Sequence, residues 1–451
     1  MAKILYSIRN LDYTLPRLLL VCTMMLLANK TLGLICYTLV PSVKPILLDR
    51  VGASATDIAL IISTIPSVLT FVLCPLISTI SDKTRTRIGR RQPYLIFSAP
   101  ILAGLLILLA WSVEIAEFIK KLLPSLANTN VSFYVVATII LLFQVVYLFP
   151  GSVVYYLIAD VIPKECIGRF MAASTISGSI VSAAFNYWVL GYVIDYMKLI
   201  FCIMGVLYVA IYVGILIFVP EGEYPPVADK IDKTENFWVK SKDYLWMFFR
   251  QCFQHRIFIL LFLCIGMNQA SNVCRAMYNV LFATKDIGMT MAQYGKVIAI
   301  GSIISAVLAY FLGKLMDKTH PIFIYFIGGI FVICINIFGY FFVYTPMTFA
   351  VIGVATAIMY AVQNLAQSPL LINLLPPDKY GQFASANSMV CSTIMIFAAY
   401  LGGKLTDIFG YRVMFVWDIV ITIIATVVLF GVYREWQRHG GKKGYKSPEI
   451  I

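Results

Sequence analysis

The sequence predicts an all-α membrane protein in which twelve transmembrane helices form two pseudo-symmetric six-helix bundles. Three observations support this fold class. Hydrophobic residues make up 60% of the 451-residue chain, and its mean hydropathy is +0.86. Apolar runs of about 20 residues, each long enough to cross a bilayer, recur along the whole chain. Two motifs of the first half return in the same order in the second half.

Every predicted span must be helical, because lipid offers no hydrogen-bond partner to a free backbone group. The first apolar segment lacks a short core followed by a cleavage site, so we expect a retained helix rather than a signal peptide. The spans are predicted at residues 17–43, 56–80, 93–112, 131–158, 171–194, 199–219, 256–282, 291–313, 321–343, 347–372, 383–405 and 411–433.

The internal repeat lies in the connectors between spans. The second span is followed by Asp82-Lys83-Thr84-Arg85, and the eighth by Asp317-Lys318-Thr319-His320, at an offset of 235 residues. A pattern of proline, glycine, phenylalanine and alanine begins at Pro163 after the fourth span and returns at Pro376 after the tenth. Two related six-span halves are typical of transporters that rock one half against the other.

The chain carries a net charge of +13, but the positions of its charges argue against nucleic acid as a partner. Of 35 Lys and Arg residues, 24 lie in the termini and in the connectors after even-numbered spans, if Arg17 and Arg256, the first residues of spans 1 and 7, are included. By the positive-inside rule, both termini are cytoplasmic, and we expect a multi-pass protein of the plasma membrane or of a bacterial inner membrane. The predicted parts are an N-terminal bundle at 1–219, a cytoplasmic linker at 220–255, a C-terminal bundle at 256–433 and a basic cytoplasmic tail at 434–451, which we expect to lie near anionic membrane lipid.

The run from Ser81 to Pro93 resembles the loop between the second and third spans of the major facilitator superfamily. More narrowly, with Pro75 and the proline motifs after spans four and ten, the chain resembles the glycoside–pentoside–hexuronide:cation symporters and the sucrose/proton symporters. The sodium–melibiose-like branch of that group has two aspartates in span two, where this chain has Thr70 and Cys74. This departure argues against sodium at that position.

The same loop is expected to control the conformational cycle. The resemblance implies that Asp82 meets the cytoplasmic start of span eleven in the outward-open state, and that Asp317 does the same against span five. A carboxylate at a helix N-terminus is stabilised by the helix dipole, and a contact made in one state alone biases the equilibrium. The alternative is that these charges only fix topology. The predicted gating residues are Asp82, Arg85, Arg90, Arg91, Asp317 and Lys318.

Polar stripes mark the spans that, by the resemblance, line a central solute cavity. Amides and hydroxyls in a span must face protein or water, and amides with aromatic rings suit a polyhydroxylated solute. The alternative is that the stripes tie helices together. The candidates are Asn29, Lys30 and Tyr37 in span one; Gln144, Tyr147, Gly151 and Tyr155 in span four; Asn186 in span five; Asn268, Asn272, Arg275 and Asn279 in span seven; and Tyr360, Gln363, Asn364 and Gln367 in span ten.

Three cations lie inside predicted spans and away from the two residues at each span end: Lys30, Arg275 and Lys296. An intramembrane charge costs about 2.5–3.5 kcal/mol on the insertion scale, so Lys30 and Arg275 call for a function. We expect Arg275 to lack a carboxylate partner at its own depth, since the candidates all lie nearer span ends. Two unpaired cations would favour an anionic solute. Alternatively, Lys30 carries a proton, or both cations cap carbonyls or reach a span-end aspartate. The aspartates considered are Asp160, Asp195, Asp407 and Asp418.

We therefore expect a secondary active transporter for a saccharide or glycoside, including acidic sugars such as uronides, coupled to a proton or another cation. The alternatives are a uniporter, a facilitative carrier of an organic anion or a lysolipid-like amphiphile, and a nutrient sensor on a transporter scaffold. The spans contain no histidine and no paired carboxylates, so the usual equipment of a membrane enzyme is missing. We expect no cofactor beyond a coupling proton or sodium ion. The oligomeric state is not readable, and a monomer fits.

Overall fold

The computed structural model describes residues 4–8, 11–122, 130–222, 246–376 and 379–448. The chain divides into two compact units. The N-terminal unit consists of Met1–Val227 with Thr290–Ala299, and the C-terminal unit of Ala228–Met289 with Ile300–Ile451. The short segment Thr290–Ala299 is the start of the eighth span, which therefore contributes residues to both units.

The N-terminal unit contains spans 1 to 6. Spans 1 and 2 each run through a π-helical turn, at Leu34–Leu39 and Leu60–Thr64. Such turns widen a helix locally and are frequent at functional sites. Between spans 3 and 4 lies the connector helix Ser112–Leu122. The helices are Leu15–Gly33 and Val40–Arg50 for span 1, Ala55–Ala59 and Ile65–Lys83 for span 2, Gln92–Ala110, Val131–Val161, Lys164–Trp188 and Met197–Phe218.

The C-terminal unit contains span 7, most of span 8, and spans 9 to 12. Span 7 is interrupted at Asn272, which separates the helix Arg256–Ser271 from Val273–Leu281, and it ends in a π-helical turn at Phe282–Asp286. The remaining helices are Met291–Lys318, Pro321–Phe342, Pro346–Leu374, Tyr380–Phe409 and Val413–Arg438.

Eleven of the described helices are long and apolar enough to cross a membrane. The fifth predicted span is also present, as the 25-residue helix Lys164–Trp188, but its serines and glycines make it less apolar than the others. The predicted all-α membrane fold is therefore confirmed. One element was not predicted: strands Ile4–Ile8 and Leu11–Thr14 form an antiparallel hairpin. Tyr13 anchors this hairpin, because its buried hydroxyl donates to the Val161 carbonyl at 2.9 Å.

Within each unit the spans pack in a related arrangement. In the N-terminal unit, span 3 packs against spans 4 and 6, and span 1 packs against spans 5 and 6. In the C-terminal unit, span 9 packs against spans 10 and 12, and span 7 packs against spans 11 and 12. The helix pairs of the first unit thus recur, six spans later, in the second.

Candidate functional site

Spans 1 and 5 are joined by a line of polar side chains. The Asn29 amide donates to the Ser174 hydroxyl at 3.1 Å, and the hydroxyls of Thr38 and Ser182 lie 3.0 Å apart. The Asn186 amide reaches the same Ser182 hydroxyl at 3.4 Å. Asn29 and Asn186 are both buried. These two predicted solute-binding residues therefore tie helices together in this structure, which is the alternative that the stripes left open.

Small residues on span 5 make this contact close. Ser174, Gly178 and Ser182 are four residues apart and share one helix face. A Cβ placed on Gly178 would lie 2.9 Å from the Lys30 ammonium nitrogen, so a side chain there would displace the end of Lys30. The spacing of small residues was a readable sequence signal. The sequence interpretation missed it because it considered amides and aromatics alone.

Lys30 is a half-buried cation in the middle of span 1. Among the residues that the structure describes, no carboxylate lies within ion-pair distance of it. Its ammonium group rests on the bare backbone at Gly178.

Spans 1 and 4 together present accessible phenol groups. The Tyr147 hydroxyl donates to the Tyr37 hydroxyl at 2.6 Å, and the two rings meet edge to face with centroids 6.2 Å apart. Tyr147 folds over Gly151, where a Cβ would lie 3.0 Å from the ring. Tyr37 is 66% exposed and Tyr155 46% exposed, and Gln144 on the same span is half-buried. These members of the predicted stripes are available to a ligand.

Arg275 has a carboxylate partner, and the prediction that it lacks one is wrong. Its Nε lies 3.0 Å from Oδ2 of Asp418 on span 12, and one of its terminal nitrogens donates to Asn336 on span 9 at 2.5 Å. The guanidinium carbon also lies 5.0 Å from the centroid of the Phe415 ring. Asp418 is fully buried, and Arg275 is 8% exposed. The prediction misjudged the membrane depth of Asp418. Spans 7 and 12 run in opposite directions, so a residue in the second half of span 7 and a residue near the start of span 12 lie at the same depth in the membrane.

The remaining polar residues of spans 7 and 10 divide into buried and accessible groups. Tyr360 is only 8% exposed. Gln363 is buried against Gly328 and Gly329 of span 9. Neither residue therefore sits on an open face. Asn268 is also buried. Four other polar residues of these spans are at least partly exposed: Asn272, at the break of span 7, Asn279, Asn364 and Gln367.

A second lysine in span 1 was missed. Lys44 lies just beyond the predicted end of the span at residue 43, between Pro41 and Pro45. The helix continues to Arg50, since prolines are tolerated in transmembrane helices. Lys44 is only 7% exposed, and its ammonium nitrogen lies 5.7 Å from the centroid of the Phe143 ring.

The charged loop between spans 2 and 3 is bound to its own unit. Arg90 makes two-nitrogen contact with Asp160 at the end of span 4, at 2.9 and 3.1 Å, and Arg91 approaches the same carboxylate at 3.4 Å. Arg91 also lies over the Tyr156 ring at 4.9 Å. Asp160, which the sequence offered as a partner for Arg275, is therefore used by the loop instead.

Glu221, in the connector after span 6, binds the end of this loop, a contact that the sequence did not predict. Its carboxylate accepts hydrogen bonds from the backbone N–H groups of Arg90, Arg91 and Gln92, at 2.9, 2.9 and 2.7 Å, where span 3 begins. Gly89 must be glycine here, because its φ is +119° and a Cβ would lie 2.5 Å from the Glu221 carboxyl carbon. Arg85 donates to the adjacent Thr84 carbonyl. The side chains of Asp82, Asp317 and Lys318 lie outside the described residues.

The chain was compared with known proteins. The sequence model of the Major Facilitator Superfamily matches residues 19–392. An uncharacterized MFS-type transporter of Methanocaldococcus jannaschii is 28% identical over 156 residues, which is 34% of this chain. That match spans 39% of the relative's length.

Solved transporter structures share the fold. The nucleoside transporter NupG superposes with a TM-score of 0.63 at 12% identity, over 92% of this chain and 98% of that one. A bacterial homologue of the human lysosomal transporter Spinster, in an inward-facing and occupied conformation, superposes with a TM-score of 0.66 at 13% identity. The superposition covers 93% of this chain and 97% of that one. At such low identity these likenesses concern the fold alone.

Proposed function

Because the chain belongs to the Major Facilitator Superfamily, we propose that it is a secondary transporter that moves a saccharide or glycoside with one acidic group, such as a uronide, by alternating access. Membership of a transporter superfamily and likeness to solved transporters support transport rather than enzymatic catalysis. The fold serves many solutes, so the solute class is argued from side chains.

The observation that carries the proposal is the state of Lys30. An ammonium group in a span without a carboxylate partner is unfavourable unless something compensates it. A solute carboxylate that binds there supplies the missing charge and accepts charge-assisted hydrogen bonds. Of the cations considered, Lys30 fits this role, because Arg275 is already neutralised by Asp418 and Lys44 is only 7% exposed, with its ammonium group 5.7 Å from the centroid of the Phe143 ring. One accessible cation at this position matches a solute with one negative charge.

The phenols of spans 1 and 4 suit the rest of such a solute. Tyr37 lies seven residues after Lys30 on span 1, on the order of 10 Å farther along the helix axis. A sugar ring or a disaccharide spans a similar length. Tyr37, Tyr147 and Tyr155 offer hydroxyls for the sugar hydroxyls and flat rings for its apolar face.

Coupling to an ion is part of the proposal. Span 2 has no acid at Thr70 or Cys74, and the Thr70 hydroxyl is already bonded to the Pro66 carbonyl at 2.8 Å. We therefore favour a proton over sodium as the coupling ion, with Lys30 as the group that exchanges it when the solute leaves.

The two charged loops are proposed to act as gates. In the first, Arg90 and Arg91 hold Asp160 while Glu221 caps span 3, so the loop is a fixed platform for Asp82. Asp82 and Asp317 would then each form a contact in one state of the cycle and release it in the other.

A ligand panel tests the proposal. The purified protein is scored by thermal shift with glucuronate, glucose and a lysophospholipid, at pH 6 and pH 8, with and without sodium. A bound ligand at 100 times its dissociation constant stabilises the folded state by about 2.7 kcal/mol. We expect protection by glucuronate and little by glucose, at both sodium levels. Protection by the lysophospholipid alone would assign the chain to amphiphile carriers, and protection by glucose alone would remove the role of Lys30.

A further inference from the structure

Lys44 of span 1 is a buried amine that has no part in the proposed solute site. The residue is 7% exposed, and its ammonium nitrogen lies 5.7 Å from the centroid of the buried Phe143 ring on span 4. Among the residues that the structure describes, none forms an ion pair or a hydrogen bond with it. The charge that an ammonium group carries here is therefore uncompensated.

The helix Val40–Arg50, which carries Lys44, packs against elements that supply neutral titratable groups. These elements include the π-helical turn at Leu34–Leu39 and span 4. The turn supplies the Cys36 thiol, which lies close enough to Lys44 to act on it electrostatically. On span 4, the titratable group nearest in sequence to the ring is the phenol of Tyr147. Thiols and phenols are ordinarily neutral near pH 7.

The acids of the same elements are bound elsewhere or lie on another helix face. The start of span 2 also packs against this helix, and its acid Asp57 accepts hydrogen bonds from Ser54 at 2.8 and 3.0 Å. Asp160, at the end of span 4, pairs with Arg90. Asp49 lies five residues after the lysine on the same helix, outside the spacing of three or four at which helical side chains meet.

The protonation of such an amine depends on its access to water. An ammonium group buried without a counter-charge is unstable relative to the neutral amine, whereas the same group in water holds its proton. One aromatic ring replaces only a small part of the hydration that a buried ion loses. A conformational change that admits water to Lys44 therefore also changes its proton occupancy, which is the property required of a coupling group.

The backbone around Lys44 is suited to such a change. Pro41 and Pro45 each lack a backbone N–H, so each removes one hydrogen bond from the helix. The π-helical turn at Leu34–Leu39 lies directly before this segment, and such turns are frequent at functional sites. Span 1 can therefore bend here more readily than an uninterrupted helix.

We propose that Lys44 is a proton-binding group of the transport cycle. It takes up a proton while the cycle exposes it to the outer solution. It gives the proton up to water on the inner side once the segment is buried, as it is in this structure. The step breaks one N–H bond and leaves a neutral amine. This proposal rests on the proposed proton-coupled transport, and it adds a second ionisable group 14 residues beyond Lys30 on the same span.

Two assays on the same proteoliposomes test the role of Lys44. Entrance counterflow of radiolabelled glucuronate at equal pH measures solute exchange, which requires no net proton movement. Uptake of the same label into empty vesicles, with the external pH one unit lower, measures coupling, and protein-free vesicles give the background. Size-exclusion chromatography ensures that equal amounts of folded protein are compared.

Three variants are compared with the unmodified chain. Lys44→Met keeps an unbranched side chain without the amine. Lys44→Arg keeps a charge that is not released in proteins. Lys296→Met is the control, because it removes another cation from a predicted span, one that is exposed.

We expect the pH gradient to raise glucuronate accumulation in the unmodified chain and in Lys296→Met, by up to about tenfold if one proton moves with each solute. Both Lys44 variants should lose this gain, and Lys44→Met should keep counterflow. The proposal is overturned if either Lys44 variant keeps the full gain, or if Lys44→Met loses counterflow and gradient-driven uptake in equal proportion. Counterflow without any effect of the gradient on the unmodified chain would overturn the proposal and leave transport itself standing. Absence of counterflow would remove both the proposed transport and the role of Lys44.

Discussion

Replacing Arg275 by methionine is expected to destabilise the protein by about 3–5 kcal/mol, because it leaves the fully buried Asp418 carboxylate without its counter-charge. The hydrogen bond from the guanidinium to Asn336 is lost as well. The expected observation is a large fall in the apparent melting temperature in detergent and a poor yield of monodisperse protein. Loss of uptake by this variant would then report a loss of folded protein rather than of a solute contact.

Two further variants separate charge from packing. Arg275→Met combined with Asp418→Asn removes both charges, so most of the lost stability should return. The exposed pair Lys198–Glu114 provides the control, since both side chains are 48% exposed and Lys198→Met should change stability by less than about 1 kcal/mol. If Arg275→Met is as stable as the unmodified chain, the ion pair does not form in the membrane protein, and Arg275 becomes available to a solute again.

Replacing Lys30 by methionine is expected to remove the preference for an acidic solute without loss of folded protein. A hydrogen bond to a charged group contributes about 1.5–3 kcal/mol, so glucuronate uptake should fall by roughly 10-fold to 100-fold. The melting temperature should stay equal or rise, because an uncompensated charge leaves the span. The measurement is initial uptake into proteoliposomes of equal protein content.

Two lysine variants serve as controls for Lys30. Lys30→Arg keeps the charge and should retain part of the uptake. Lys296→Met removes another cation from a predicted span, one that is exposed and lies 5.7 Å from the Tyr187 ring centroid, and it should transport normally. Equal loss in Lys30→Met and Lys296→Met would mean that positive charge in general, rather than a contact at Lys30, supports uptake.

The helical fold could be predicted from the sequence because hydropathy accumulates over about 20 residues and does not depend on tertiary contacts. Span 9 was predicted at 321–343 and is found at Pro321–Phe342. The end of span 1 was predicted at residue 43, but the helix continues to Arg50, because a transmembrane helix supported by its neighbours tolerates Pro45. The hairpin Ile4–Ile8 with Leu11–Thr14 was missed because two short strands give too little periodicity.

The candidate site could be predicted in part. The polar stripes were found, but which spans touch which cannot be read from spacing along one helix. Asn29 was therefore predicted to bind the solute, whereas its amide donates to the Ser174 hydroxyl in the structure. Arg275 was predicted to be unpaired, whereas it forms an ion pair with Asp418. Glu221 was overlooked because it lies in a proline-rich connector, where its role depends on the backbone at the start of span 3. Lys30 was found because an isolated charge in an apolar run is conspicuous without any structure.

The most direct measurement is entrance counterflow in proteoliposomes that contain the unmodified chain. Vesicles are loaded with unlabelled glucuronate, and the accumulation of external radiolabelled glucuronate is followed beside that of radiolabelled glucose. The proposed function predicts transient accumulation of glucuronate, at least about tenfold faster than that of glucose, in keeping with one charge-assisted contact. Absence of exchange for both sugars, or equal exchange of the two, would contradict recognition of an acidic sugar by Lys30.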